Sequence, residues 1–97
     1  MRTFRLSGRL DLTSVDRAAD LLCLAIGTPG DVWLDLSGLE FIDTFGIRFL
    51  LEFAKVLEDG TLHLASPPAN VERILRLMGL NERRGPVRLA PSLARSA

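Results

Sequence analysis

One cysteine, one histidine and no tyrosine occur in the 97 residues. A single cysteine excludes an internal disulfide and any cysteine-rich metal cluster. It lies in the apolar run Leu21-Leu22-Cys23-Leu24-Ala25-Ile26, where a small buried hydrophobe is expected. The lone His63 sits mid-segment in "TLHLA", with neither a Ser/His/Asp order nor metal-ligand spacing around it, so a packing or surface role is expected. No glycine-rich phosphate loop occurs either. These absences argue against an enzyme, a cofactor and a metal site. Twelve basic residues balance twelve acidic ones, so no cationic surplus draws the chain to nucleic acid or an anionic membrane. No apolar run approaches about 18 residues, which excludes a spanning helix and direct membrane insertion. The start, Met1-Arg2-Thr3-Phe4-Arg5, lacks the apolar region of a signal peptide. Repeats, low-complexity segments and internal linkers are also missing. The expectation is one cytoplasmic domain over residues 1–90, followed by a frayed tail at 91–97.

What is present is alternation. In "TFRLSGRL" (3–10), Phe4, Leu6 and Leu10 share one face, and Arg5, Ser7 and Arg9 the other. That is a half-buried strand. Thr13 or Ser14 stands where a cap belongs for a helix through "VDRAADLLCLAI". Gly27, Pro29 and Gly30 then break the chain. "VWLDLSG" (32–38) is a second strand, with Val32, Leu34 and Leu36 inward and Trp33 and Asp35 outward. A second helix is expected from Thr44 to about Glu58, and Asp59-Gly60 turns into a third strand carrying Leu62 and Leu64. "SPPANVERILRLMGL" predicts a third helix, with Pro67 and Pro68 at its start and Gly79 at its end. Val87 and Leu89 mark a short last strand. The order is β-α-β-α-β-α-β, an α/β fold with a mostly parallel sheet of about four strands. A doubly wound sheet would need near-continuous apolar strands. Here one strand face is polar, so the helices should pack on one face only. Trp33 is the apolar exception on the open face. A Trp half-covered by neighbouring strands is expected there, and a homodimer or another partner across that face is the alternative.

The second helix has an unusual apolar arc. Arg48, Glu52 and Lys55 form one narrow polar stripe, and Gly46, Leu50, Phe53 and Leu57 lie opposite it. Phe45, Phe49 and Val56 fill one flank; Ile47, Leu51 and Ala54 fill the other. Either neighbouring helices cover both flanks, or part of one is open to a protein partner. Asp43 is placed to cap the helix, and Gly46 to allow a close backbone approach. Thr44 then takes the first helical position, with Ile47 and Arg48 on its face. Two readings of the Asp43-Thr44 pair are open at this point. It is a cap and its neighbour, or it is a cap that presents a hydroxyl to a kinase.

The stretch "VWLDLSGLEFIDTFGIRFLLEFAKVL" resembles a STAS domain, the fold of bacterial anti-sigma factor antagonists. The resemblance rests on Asp35-Leu36, the apolar pair Phe41-Ile42, then Asp43, Thr44, Phe45 and Gly46, ahead of a leucine-rich helix. "LSGRLDLTSVDRAADLL", with Asp11 in the usual acidic position, and "LHLASPPANVERILRLMGL" extend it to about residues 4–82. It implies phosphorylation at Thr44 by an anti-sigma factor that is itself a serine/threonine kinase, reversed by a phosphatase. The surround of the phosphosite would be Asp11, Asp43, Phe45, Gly46 and Arg48, and the partner-binding residues Ile47, Arg48 and Leu51. The family more often has Ser at position 44, commonly has a second Ser or Thr at 45, and has an extra N-terminal strand. The first two departures are similar to STAS proteins outside the antagonist circuit. Those are scaffolds of stress-signalling complexes and the cytoplasmic subunit of a lipid-transport ABC complex.

Overall fold

The nine-residue alternation that opens the chain forms an edge strand, β1 (Arg2–Leu10). The computed structural model describes residues 2–25, 30–57, 60–81 and 85–90. In chain order, α1 (Val15–Leu22), a short 3₁₀ turn (Cys23–Ala25), β2 (Val32–Ile42), α2 (Thr44–Lys55), β3 (Leu62–Ala65), α3 (Ala69–Leu77) and β4 (Val87–Ala90) follow. The four strands make one sheet in the order β1-β2-β3-β4, and every pairing is parallel. Each crossover is a helix, as parallel neighbours require. Leu34, Leu36, Leu62, Leu64, Val87 and Leu89 are buried in one cluster with Ala18 and Leu22 of α1, Leu50 and Phe53 of α2, and Val71 and Leu75 of α3. The helices therefore share one face of the sheet.

The other face is polar and partly covered by its own side chains. Trp33 lies opposite His63 and stacks on it, with ring centroids 4.2 Å apart and planes 11° from parallel. His63 Nε2 is 2.8 Å from Asp31 Oδ2, and the Thr61 N–H donates to Asp31 Oδ1 at 2.9 Å. The guanidinium of Arg9 lies 4.3 Å above the Phe41 ring. Trp33 is thus half-covered by its own sheet.

Several expectations change. The second strand was expected to stop at 38 and runs on to Ile42. The α-helical part of the first helix closes at Leu22, four residues early. Ser14 occupies its N-cap position but caps nothing through its side chain. Its hydroxyl instead donates to the Arg9 carbonyl at 2.6 Å and accepts the Asp11 N–H at 3.0 Å. Cys23, the first residue of the 3₁₀ turn, is exposed, and its thiol donates to the Asp20 carbonyl at 3.0 Å. The second helix ends at Lys55. Pro68 is the N-cap residue of α3, and Gly79, at φ 91°, closes that helix. The Gly79 N–H reaches the Arg76 carbonyl and the Leu80 N–H the Leu75 carbonyl, at 3.0 and 3.1 Å, the paired bonds of a Schellman ending. The expected turn residues Gly27 and Pro29, the helix end at Glu58, Asp59 and the tail at 91–97 lie outside the described residues.

Candidate functional site

The start of α2 is placed by two irregularities in β2. That strand spends eleven residues alongside the nine of β1. The register begins at Arg2↔Val32 and ends at Leu10↔Ile42, with shifts between Arg5 and Ser7 and between Gly8 and Arg9. Both extra residues belong to β2, so each is a bulge there. They carry Asp43 to the end of β1, where its N–H donates to the Leu10 carbonyl at 3.3 Å. Without them, Leu10 would face Glu40.

Asp43 then turns the chain into the helix. Its backbone is extended, and its Oδ1 accepts the Gly46 N–H at 3.0 Å. This is an N-cap on the third helical residue. Gly46 is packed against the end of β1. A Cβ there would collide with the Leu10 carbonyl oxygen and stand 2.9 Å from Ile42 Cγ1. Only a residue without a side chain lets the first turn of α2 sit so close to β1.

Between these two fixed residues, Thr44 is exposed at the first helical position. Arg48, one turn on, is also exposed. Among the described residues, neither side chain takes part in a hydrogen bond or ion pair. The site therefore presents a free hydroxyl, a free guanidinium and the positive end of a helix.

Asp11 directly follows Leu10 and is buried. Its carboxylate is already occupied. Oδ1 accepts the Thr13 hydroxyl at 2.6 Å and the Thr13 N–H at 3.0 Å, and Oδ2 pairs with Arg9 Nε at 2.9 Å. The Thr13 hydroxyl, and after it Arg9, hold the Asp11 carboxyl below its ordinary value. Asp11 thus organises the loop between β1 and α1 next to the start of α2, as an anion with satisfied partners.

The two flanks of α2 differ. Ile47 and Ala54 are buried at 2% and 4% exposure, and Leu51 is at the rim at 37%. On the other flank Phe45 and Val56 are each 47% exposed. Phe49 is partly buried between them and stacks against Phe53, centroids 6.3 Å apart. Ile47, expected to meet a partner, is a core residue instead, in the cluster that holds Ala18 and Leu22 of α1. The more open apolar flank of α2 is the phenylalanine one, with Leu51 the exposed residue of the other. Apart from one residue, nothing in the local sequence separates the two apolar flanks. The one available signal is Phe45, a large ring in the first turn, where core packing has least need of it.

A parallel sheet with three helices on one face, and an Asp-capped helix whose first residue is an exposed Thr, define a class. The family model for the STAS domain matches residues 1–95, and the chain belongs to that family. Among solved structures, it is similar to the anti-sigma factor antagonist SpoIIAA in its unphosphorylated form. The identity is 20%, the match covers 97% of this chain and 82% of that one, and the TM-score is 0.67. At that identity the likeness is one of fold. No match is found among the curated proteins.

Proposed function

We propose that this chain is an anti-sigma factor antagonist whose binding to a kinase-type anti-sigma factor is controlled by phosphorylation of Thr44. What supports the reading is the Thr44 hydroxyl itself: exposed, unengaged, and held at a helix start between Asp43 and Gly46. Transfer of a phosphoryl group from ATP to Thr44 Oγ1 adds about −1.5 to −2 charges at neutral pH. The helix end and Arg48 stabilise that charge, and Asp43 opposes it. Phe45 lies beside it. A partner that covers Phe45 and Val56 would have to strip water from the phosphate, so the modified protein is released. Removal of the phosphate by a phosphatase restores the docking surface. The domain in this reading is a regulatory binding module without catalysis, acting on transcription in a bacterial cytoplasm.

The exposed Phe45 supports a second reading. An aromatic anchor next to Thr44 suits a lasting interface, as in a scaffold subunit or the cytoplasmic subunit of a transport ATPase. Affinity capture from the native cytoplasm separates the two, since a GHKL-type kinase supports the first and an ABC ATPase the second. For the first reading, Thr44→Ala should bind the kinase and resist release by ATP, and Thr44→Glu should bind at least about tenfold more weakly. Phosphorylation of Thr44→Ala at the original rate would refute the assignment.

A further inference from the structure

We propose that the outer edge of β1 pairs with β1 of a second copy of this chain, antiparallel and centred on Leu6, joining two sheets into one. β1 is an end strand, and no strand lies on its outer side among the described residues. The other end strand is partly closed by its own chain. The Leu89 N–H of β4 donates to the Asn81 carbonyl at 2.9 Å, and Asn81 bridges to Arg88. Which backbone groups of β1 are open follows from its neighbour. The Val32 N–H donates to Thr61, on the side of β3. The alternate residues Trp33 and Asp35 therefore turn to β1 and bond its even-numbered residues. Thr3, Arg5 and Ser7 are left with N–H and C=O groups pointing outward, a row open to another strand.

Charged side chains usually guard such an edge, but the arginines of β1 lean over β2 instead. The Arg5 guanidinium lies over Gly38, with Nη2 2.9 Å from where a Cβ would stand, and acts on Asp35 through space. Arg9 pairs with Asp11 and lies over Phe41. On the helix side, Gly8 interrupts the apolar row between Leu6 and Leu10. A Cβ at Gly8 would meet nothing within 4 Å. A groove of about 450 Å³, lined by Gly8 with Leu6, Leu10, Ala18 and Leu21, runs along this edge.

Two-fold antiparallel pairing sets residues of the same face opposite each other. Of the four possible centres from Phe4 to Ser7, one suits this sequence. Centred on Arg5 or on Ser7, arginine faces arginine; centred on Phe4, Arg2 faces Leu6. Centred on Leu6, Arg5 faces Ser7, Thr3 faces Arg9, and Phe4 faces Gly8. The partly buried Phe4 of each copy then lies over the gap left by the other's glycine, a favourable cross-strand pair. Thr44 takes no part in the contact, so failure of the dimer leaves the phosphorylation reading untouched.

The test is sedimentation equilibrium of the full chain up to about 1 mM, in a Cys23→Ser background. A dimer should form within that range. Ser7→Arg sets arginine opposite Arg5 twice and should weaken the dimer at least about tenfold. Ser7→Glu should bind at least as tightly as the parent. Position 7 is exposed, so both variants should fold. The register is read by mixing chains carrying Arg5→Cys with chains carrying Ser7→Cys. Their Cα atoms would be about 5.5 Å apart, within disulfide reach. Position 5 to position 5, and 7 to 7, are diagonal neighbours at about 7–8 Å. Mixed dimers should therefore cross-link faster than either chain with itself. A monomer at about 1 mM, a dimer indifferent to the charge at position 7, or cross-linking fastest between like chains would overturn the proposal.

Discussion

Asp43 and Gly46 hold one helical turn from two sides, and Thr44 contributes to neither constraint. Asp43 satisfies a backbone N–H of the first turn; Gly46 makes room for the Leu10 carbonyl. Each therefore has a stability cost that follows from its own mechanism. Asp43→Ala removes the cap and should cost about 1 kcal/mol. Gly46→Ala forces a methyl against backbone and should cost more, about 1–3 kcal/mol. In a chain of this length each kcal/mol lowers the unfolding midpoint by about 4–8 °C. Thr44→Ala, at an exposed and unpartnered position, should stay within about 0.5 kcal/mol of the parent. Thermal and urea unfolding of the three variants gives the order directly. A Thr44→Ala loss as large as that of Gly46→Ala would mean that the hydroxyl is structural. The cap was legible in the sequence because it joins residues three apart, and the close approach because a glycine stands on the sheet-facing side of the first turn, although its partner Leu10 lies far away in the chain. The burial of Ile47 and the exposure of Cys23 were not, since each is decided by what another helix covers.

Among the elements, those with an undisturbed period were the legible ones. β1 and β4 alternate strictly and β3 does so as far as Leu64, ahead of a buried Ala65, and their inward faces match the expectation from pattern alone. β2 does so only as far as Leu36. Its buried positions then step by three, to Leu39 and Ile42, because each bulge adds a residue. A period of two followed by steps of three does not read as one strand, so the last four residues were missed. They are the ones that deliver Asp43 to Leu10. On α2 the period of 3.6 placed Leu50 and Phe53 inward but left its two flanks equivalent. Substitution distinguishes core from surface here. Leu50→Ala, at a fully buried site, should cost about 2–5 kcal/mol. Phe45→Ala, half-exposed, should cost under about 1 kcal/mol and, under the proposed function, should weaken partner capture by about tenfold or more. Denaturant unfolding paired with a binding titration measures both. Equal destabilisation by the two substitutions would place Phe45 in the core and close that flank to a partner.

Across the whole molecule, three aspartates in or next to the strands are held by hydrogen bonds as anions, and their ionisation sets how the fold tolerates acid. Asp31, just before β2, is held below its ordinary value by the hydrogen bond to His63 and by the Thr61 N–H, so it joins the entrances of β2 and β3. Asp35, within β2, is lowered chiefly by the Ser37 N–H. Asp11, at the exit of β1, is lowered by the Thr13 hydroxyl and Arg9. In the unfolded chain each returns to near 3.8. The unfolded state therefore binds more protons than the native state in acid, and stability rises with pH through that range. The contribution is fully present above the unfolded value, shrinks as pH falls below it, and is gone once the pH passes the lowered native values. Unfolding midpoints measured from about pH 6 to pH 2 should fall on acidification, with most of the loss below about pH 4. Asp11→Asn combined with Asp31→Asn keeps hydrogen-bond acceptors at both ends of the sheet but removes two of the three titrating groups. That variant should be less stable at neutral pH and should lose less on acidification, because fewer protons are taken up when it unfolds. An acid slope equal to the parent's would assign the pH dependence to other carboxylates and leave Asp11 and Asp31 with a purely geometric role.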